Sequence, residues 1–142
     1  MNPEEKRQHL EFIQNIITRM NANSFQLKGI AITIVSAMLA IYVSTENIIF
    51  VFLGILPTLL FWFLDSYYLQ QERKFRGVYN NVAGLKRDVE IKPYEMPIQK
   101  FKGGQYRFFD VFFSKTIFWL YFSVILFLVI IGFVLKSDYL TL

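Results

Sequence analysis

The chain has 142 residues, enough for one domain and no more, with 15 Lys and Arg against 11 Asp and Glu, a net charge of +4. Hydrophobic residues make up 54 % and charged ones only 18 %, fewer than the roughly 25 % charged of an average soluble domain; Phe alone occurs 16 times. The lack of cysteine excludes disulfides, zinc–thiolate sites and thiol catalysis, and the two apolar blocks, 29–69 and 108–135, are easier to bury in lipid than in one small soluble core.

The opening residues MNPEEKRQHLEF carry both signs of charge and no early apolar run, so they do not read as a cleavable signal peptide. Residues 3–22 predict an amphipathic helix in which Leu10, Ile13, Ile17 and Met20 recur at three- and four-residue spacing, widened by Phe12 and Ile16. Glu4 and Glu5 fall in its first turn, where they complement the helix dipole. Asn21, Asn23 and Ser24 are expected to end it, with Asn23 or Ser24 capping the first membrane span. The stripe of Leu10, Ile13, Ile17 and Met20 needs a cover: the membrane surface, the later loop, or a second subunit. His9, the single histidine, reads as a solvated helix position.

That first span is expected over 24–44. Its apolar stretch, Gly29 to Ser44, falls short of the roughly 20 residues a bilayer needs, and Ser24 to Lys28 complete it if Lys28 reaches back to the headgroups. Small residues (Gly29, Ala31, Ser36, Ala37, Ala40, Ser44) allow close helix approach, within the hairpin or elsewhere. The polar break Thr45–Asn47 is so short that the second span, 48–69, must run antiparallel beside the first. Pro57 is expected to kink that span. Helical spacing continues through Tyr68, Leu69, Phe75, Val78, Tyr79 and Val82, so a helix over 48–83 would be about 54 Å long and leave about 20 Å beyond the bilayer. Gly84 is expected to cap it.

Residues 88–104 break the pattern. VEIKPYEMPIQKF alternates like an extended segment, but Pro93 and Pro97 confine it to an edge or loop, and Gly103–Gly104 mark a turn. The aromatic run RFFDVFF then leads as an interfacial anchor into a third span, 112–135, containing WLYFSVILFLVIIGFVL. Residues 70–111 are thus a helical extension and loop.

Lys and Arg set the orientation. Fourteen of the fifteen fall in residues 1–28 and 66–115, none in the 45–47 turn, and Lys136 alone in the tail. This places the N-terminus and central loop in the cytoplasm and residue 142 outside.

Asp65 is the sharpest candidate residue. It follows Phe61, Trp62, Phe63 and Leu64, and an ionisable group in a membrane segment is a functional candidate. It is expected to pair at the membrane face, with Lys28 and Lys115 better placed than Arg73, or to act in gating; Asp65, Lys28 and Lys115 form the candidate gating or interface set. Arg73, Lys74 and Arg76, with Lys102 and Arg107 around the glycine pair, are candidate contacts for an anion or partner, whether lipid headgroup, nucleotide signal or nucleic acid. Positive-inside bias explains these charges without a ligand, and nothing points directly to nucleic acid. Phosphate-loop, HExxH and GxSxG patterns are absent, so no catalytic, cofactor or metal site is expected.

HLEFIQNIITRMNANSFQLKG (9–29) and FWFLDSYYLQQERKFRGVY (61–79) together resemble small bacterial membrane proteins with a cytoplasmic helix, a tight membrane hairpin and an aromatic-acidic exit from it. They are also similar to the few-span membrane effectors of bacterial anti-phage systems, in the style of the SLATT proteins. The resemblance covers about half the chain; SLATT-type proteins typically have two spans, and this chain reads as three. It implies an oligomer in the inner membrane that disturbs the bilayer when a cytoplasmic partner or nucleotide signals infection. The sequence therefore predicts an all-α membrane protein: a hairpin plus one further span, an N-terminal amphipathic helix and a cytoplasmic loop. Three helices of one chain cannot enclose an aqueous path, so a channel-like effector would be a homo-oligomer. The alternative is a non-conducting anchor or scaffold that recruits a soluble partner.

Overall fold

A computed structural model describes residues 2–140, with side chains through Ser137. Residue 142, expected on the outer side, lies outside the described residues. The order is α1 (Pro3–Thr45), α2 (Ile49–Leu53), α3 (Ile55–Ala83), two single 3₁₀ turns (Ile98–Lys100 and Gly104–Tyr106), α4 (Phe108–Phe112) and α5 (Lys115–Leu140), with no strand among the described residues. Three helical stretches, Pro3–Thr45, Ile49–Ala83 and Lys115–Ser137, are long and apolar enough to cross a membrane, as expected of an all-α multi-pass chain. The chain divides into two compact units: Met1–Phe25 with Ser66–Val111, and Gln26–Asp65 with Phe112–Leu142.

Two expected boundaries move. Asn21, Asn23 and Ser24 do not end the first helix; α1 passes through them without a break. Asn and Ser are only mildly poor helix formers in an interior, and neither Pro nor Gly interrupts before Gly29. The amphipathic helix and the first span are one helix. The second span is interrupted earlier than expected, at Gly54 rather than at Pro57. Proline has no N–H to give the carbonyl four residues back and its ring crowds that carbonyl; four residues before Pro57 is Leu53, the last residue of α2. Pro57 thus sits in the opening turn of α3, where a missing N–H is harmless.

The hairpin turn is built by polar side chains. Glu46 adopts a left-handed φ of 55°, its N–H bonded to Tyr42 O at 2.7 Å. Asn47 Oδ1 then accepts the Ile49 N–H at 3.1 Å, restarting the helix. At the far end of α3, Gly84 has the expected capping role. With φ +85° it lets its own N–H reach Asn81 O and the Leu85 N–H reach Asn80 O, the double closure of a Schellman motif.

The unit formed by residues 26–65 and 112–142 centres on Val35, Val51 and Leu128, with Leu39, Ile55, Val124 and Ile131 packed around them. Gly132 gives the Phe52 ring room: a Cβ there would lie 2.6 Å from it. Its outside is apolar, with Ile32, Leu56, Phe63, Trp119, Phe127 and Phe133 exposed, the surface a lipid solvent requires. Ala37, Ala40 and Ser44 are exposed as well, while Ala31 is buried.

The other unit has its own core of Ile13, Ile17, Val78, Val82 and Phe101, with Leu10, Phe75, Val89, Ile91 and Met96 packed against it. This corrects the reading of the Leu10, Ile13, Ile17, Met20 stripe as an oligomer surface. Ile13 and Ile17 are 0 % and 4 % exposed within their own chain, Leu10 packs beside them, and Met20 is half-buried. Of the three expected covers the loop takes part, and α3, which was not among them, supplies the rest. Lys6 Nζ adds a hydrogen bond to Ala83 O at 3.2 Å, closing a carbonyl at the C-terminal end of α3. The alternation in residues 88–104 survives as packing, Val89 and Ile91 turned in and Glu90 and Lys92 out. Pro93 and Pro97 leave too few donors for a ladder, so the segment is a loop with 3₁₀ turns.

Candidate functional site

One face of α3 carries Thr58, Trp62 and Asp65, spaced four and three residues apart and all buried. Thr58 bonds back to Gly54 O at 2.8 Å, so its hydroxyl is satisfied within the helix. The Trp62 indole donates to Phe112 O at 3.1 Å and lies in a stack, 4.4 Å from the Phe112 ring and 6.0 Å from the Tyr121 ring, both nearly parallel to it.

Asp65 lies beside this stack and is completely buried. A lone carboxylate there would cost several kcal/mol, and two partners remove the problem. Lys28 Nζ, on α1, lies 2.6 Å from Asp65 Oδ2. The Tyr121 hydroxyl, on α5, donates to the same oxygen at 3.2 Å. One carboxylate thus ties together side chains from three helices. Lys28 keeps 23 % of its side chain exposed, so its stem runs along apolar surface while its head reaches the buried acid.

Of the three residues expected at a gate or interface, the structure brings Lys28 and Asp65 together and leaves Lys115 exposed at the start of α5. Arg73, eight residues along α3, is engaged elsewhere, donating from Nη1 to Gln105 O at 3.2 Å. Sequence reasoning missed Tyr121 and Trp62. A signal was present for both: a tyrosine or tryptophan within an apolar span needs a partner for its O–H or N–H, and Trp62 shares a helix face with Asp65.

The basic candidates do not form one cluster. Arg76 pairs with Glu72, one turn earlier on α3, whose carboxylate is almost fully buried. Arg107 lies 3.6 Å from Asp110. Lys102 is exposed and Lys74 half-buried, and neither lines the hollows into which Arg73 and Arg76 open.

His9 overturns its expected solvation. It is wholly buried, and neither ring nitrogen has a well-formed hydrogen bond. Its ring is 5.9 Å from that of Tyr94, which has a left-handed φ of 61° and donates its hydroxyl to Gln8 Oε1 at 2.6 Å. Burial pushes the His9 pKa down, opposed weakly by the Glu95 main chain. No local pattern signals this burial, because the cover over His9 comes from a loop more than eighty residues away.

A hollow of about 330 Å³ opens between α1 and α5, lined by Ile32, Val35, Ser36, Leu39, Ser123, Val124 and Phe127. Its lining is apolar but for the two serines, a surface suited to an acyl chain. No protein-family model matches the chain, and no curated protein or solved structure matches it.

Proposed function

We propose that this chain is an oligomeric inner-membrane effector of channel-like type, which perturbs the bilayer when a cytoplasmic signal reaches the unit built from residues 2–25 and 66–111. The observation that carries the reading is the wholly buried Asp65 carboxylate, paired with the partly exposed Lys28 and the buried Tyr121 hydroxyl. Burying a charged pair in an apolar helical unit is a costly way to gain stability, because hydrophobic residues of similar volume do as well or better. Polar groups kept at that cost inside a membrane span are candidates for function. The closed pair is the resting state of a switch, and its opening frees a charge that the apolar unit cannot hold. Helices α1 and α3 each run unbroken through both units, giving a covalent route for the signal. The resemblance to anti-phage effectors fits this role.

Liposomes reconstituted with the chain test it. Lys28→Met and Asp65→Asn should raise dye or ion leakage over the wild type, with an assembly larger than a monomer in mild detergents. A tight bilayer for all three chains, or monomers throughout, would reject the proposal.

One observation favours the second reading, a non-conducting anchor that recruits a soluble partner. Ile13 and Ile17 pack into their own chain, which removes one surface for self-association. In that case the same liposomes stay sealed while a soluble protein is retained.

A further inference from the structure

Arg73, Arg76, Gly77 and Asn80 are spaced three, one and three residues apart along α3, so they share one helix face. With Gln105 and Tyr106 from the second 3₁₀ turn they enclose a hollow of about 130 Å³. A second hollow, of about 210 Å³, is lined by Gln14, Ile17, Arg76, Tyr79 and Asn80, so Arg76 and Asn80 belong to both. We infer that the two hollows form one binding site for a phosphate ester: the phosphate sits between Arg73 and Arg76, and the polar organic group it carries lies in the neighbouring hollow.

A guanidinium has five N–H donors. Arg73 uses Nη1, on Gln105 O, and Arg76 uses Nε, on Glu72. Each keeps further donors, in the planar array that suits phosphate oxygens. Glu72 is almost fully buried, and its carboxylate holds Arg76 in one orientation while cancelling one of the two charges. Arg73 supplies the uncompensated charge for an anion. Gly77 lets the Phe101 ring and the Tyr106 hydroxyl close onto α3 beside the hollow and hold its wall: a Cβ there would meet them at 2.5 Å and 3.0 Å. Gln70 Nε2, bonded to Tyr106 O at 2.9 Å, fixes the opposite wall against α3. The adjoining hollow offers the amides of Gln14 and Asn80 beside Ile17 and Tyr79, a lining for an uncharged polar group. Lys102 and Arg107, the basic pair around the glycines, lie outside both hollows and add only a screened field.

A phospholipid headgroup and a soluble phosphomonoester present the same chemistry here. The site supplies a ligand for the unit assigned to signal reception. It rests on that reading for its biological use alone, and it is tested by binding, so a chain that leaks but does not bind, or binds but does not leak, separates the two. The full chain in neutral detergent is titrated calorimetrically with inorganic phosphate and with glycerol 3-phosphate. The chain in nanodiscs of phosphatidylcholine, with and without phosphatidylglycerol, is compared by hydrogen exchange over residues 70–80 and 101–108.

Glycerol 3-phosphate should bind about tenfold tighter than phosphate, and Arg73→Gln should weaken it about tenfold, the loss of one charge-assisted contact. Lys102→Gln should change it by less than about twofold, as an exposed charge does. Arg76→Gln alone would strand the Glu72 carboxylate, so the paired change Glu72→Gln with Arg76→Gln is used, and it too should weaken binding. Protection that needs phosphatidylglycerol and Arg73, with no soluble binding, assigns the site to lipid; binding in detergent assigns it to a soluble ester. Equal losses for Arg73→Gln and Lys102→Gln, or no response to any of these probes, would overturn the site.

Discussion

Lys28 and Asp65 meet through a 2.6 Å contact between Nζ and Oδ2, in which the acid is wholly buried and the lysine is not. The two partners are therefore unequal. Removing Lys28 takes the positive charge from a wholly buried carboxylate, whereas removing the charge of Asp65 leaves an ammonium that can turn to solvent. Lys28→Met should destabilise the chain by about 3–5 kcal/mol, the usual cost of breaking a buried pair from one side. Asp65→Asn keeps an acceptor for Tyr121 and should cost clearly less. The double variant should recover much of the loss, and a double-mutant cycle on thermal unfolding in detergent measures the coupling. Glu46→Gln, in the exposed hairpin turn, should change nothing. Costs below about 1 kcal/mol for both single variants would mean that the pair contributes no more than an exposed ion pair does.

Asp65 could be singled out from sequence because a charge after four bulky apolar residues breaks a pattern. Its partner was narrowed to Lys28 or Lys115 by where those residues fall at the span ends. The third member, Tyr121, was hidden because helix register between α3 and α5 decides which aromatic of the third span faces the acid, and a single sequence does not contain that register. The three spans, the tight hairpin and the Gly84 cap follow from local rules of composition and backbone sterics, and those were legible. The continuity of α1 was not, since Asn21, Asn23 and Ser24 are typical of helix ends and their local preference is overridden by packing. The stripe around Ile13 showed that a cover was needed; what supplied it required the tertiary fold.

Gly77 separates close approach from backbone freedom. Its Cβ would sit 2.5 Å from the buried Phe101 ring, so Gly77→Ala should destabilise its unit by about 1–3 kcal/mol, as overpacking does. Gly84 has open space around it but φ +85°, and Gly84→Ala should cost about 1–2 kcal/mol from the left-handed backbone alone. Gly29 has neither constraint within α1, so Gly29→Ala should be neutral or stabilising by up to about 1 kcal/mol. Hydrogen-exchange protection of residues 75–82 at fixed pH reads the first two, and thermal unfolding reads the third. A Gly77→Ala chain with unchanged protection would show that Phe101 is free to move.

The fourteen-to-one partition of Lys and Arg predicts that positions 2 and 100 share the cytoplasmic side. The chain has no cysteine, so single cysteines placed there report without background. In intact cells neither should react with a membrane-impermeant thiol reagent, and both should react after lysis. A cysteine at 46, in the turn between α1 and α2, should react in intact cells. Labelling of position 100 from outside would reverse the orientation.

His9 gives the unit of residues 2–25 and 66–111 a dependence on acid whose sign is fixed by burial. Neither ring nitrogen has a well-formed hydrogen bond, so a protonated imidazole would carry a charge inside the core with only the Glu95 main chain to offset it. Its pKa in the folded chain therefore lies below the ordinary value, near 6.5 for an unperturbed histidine. Below about pH 6.5 the unfolded chain takes up a proton that the folded chain refuses. Stability contributed by the neutral ring is complete above that pH and declines as pH falls toward the folded pKa. The response should begin where the loop covers the ring, because Tyr94 already holds a left-handed φ and is tied by its hydroxyl to Gln8. Thermal unfolding followed by circular dichroism should show a lower first transition at pH 5.5 than at pH 7.5. The comparison is with His9→Phe, which should lose part of the pH dependence while keeping the fold. The His9 ring proton shift, followed by NMR, should not titrate near 6.5. A ring that titrates like a solvated imidazole, or a His9→Phe chain as acid-sensitive as the wild type, would show that His9 is not sealed by the loop.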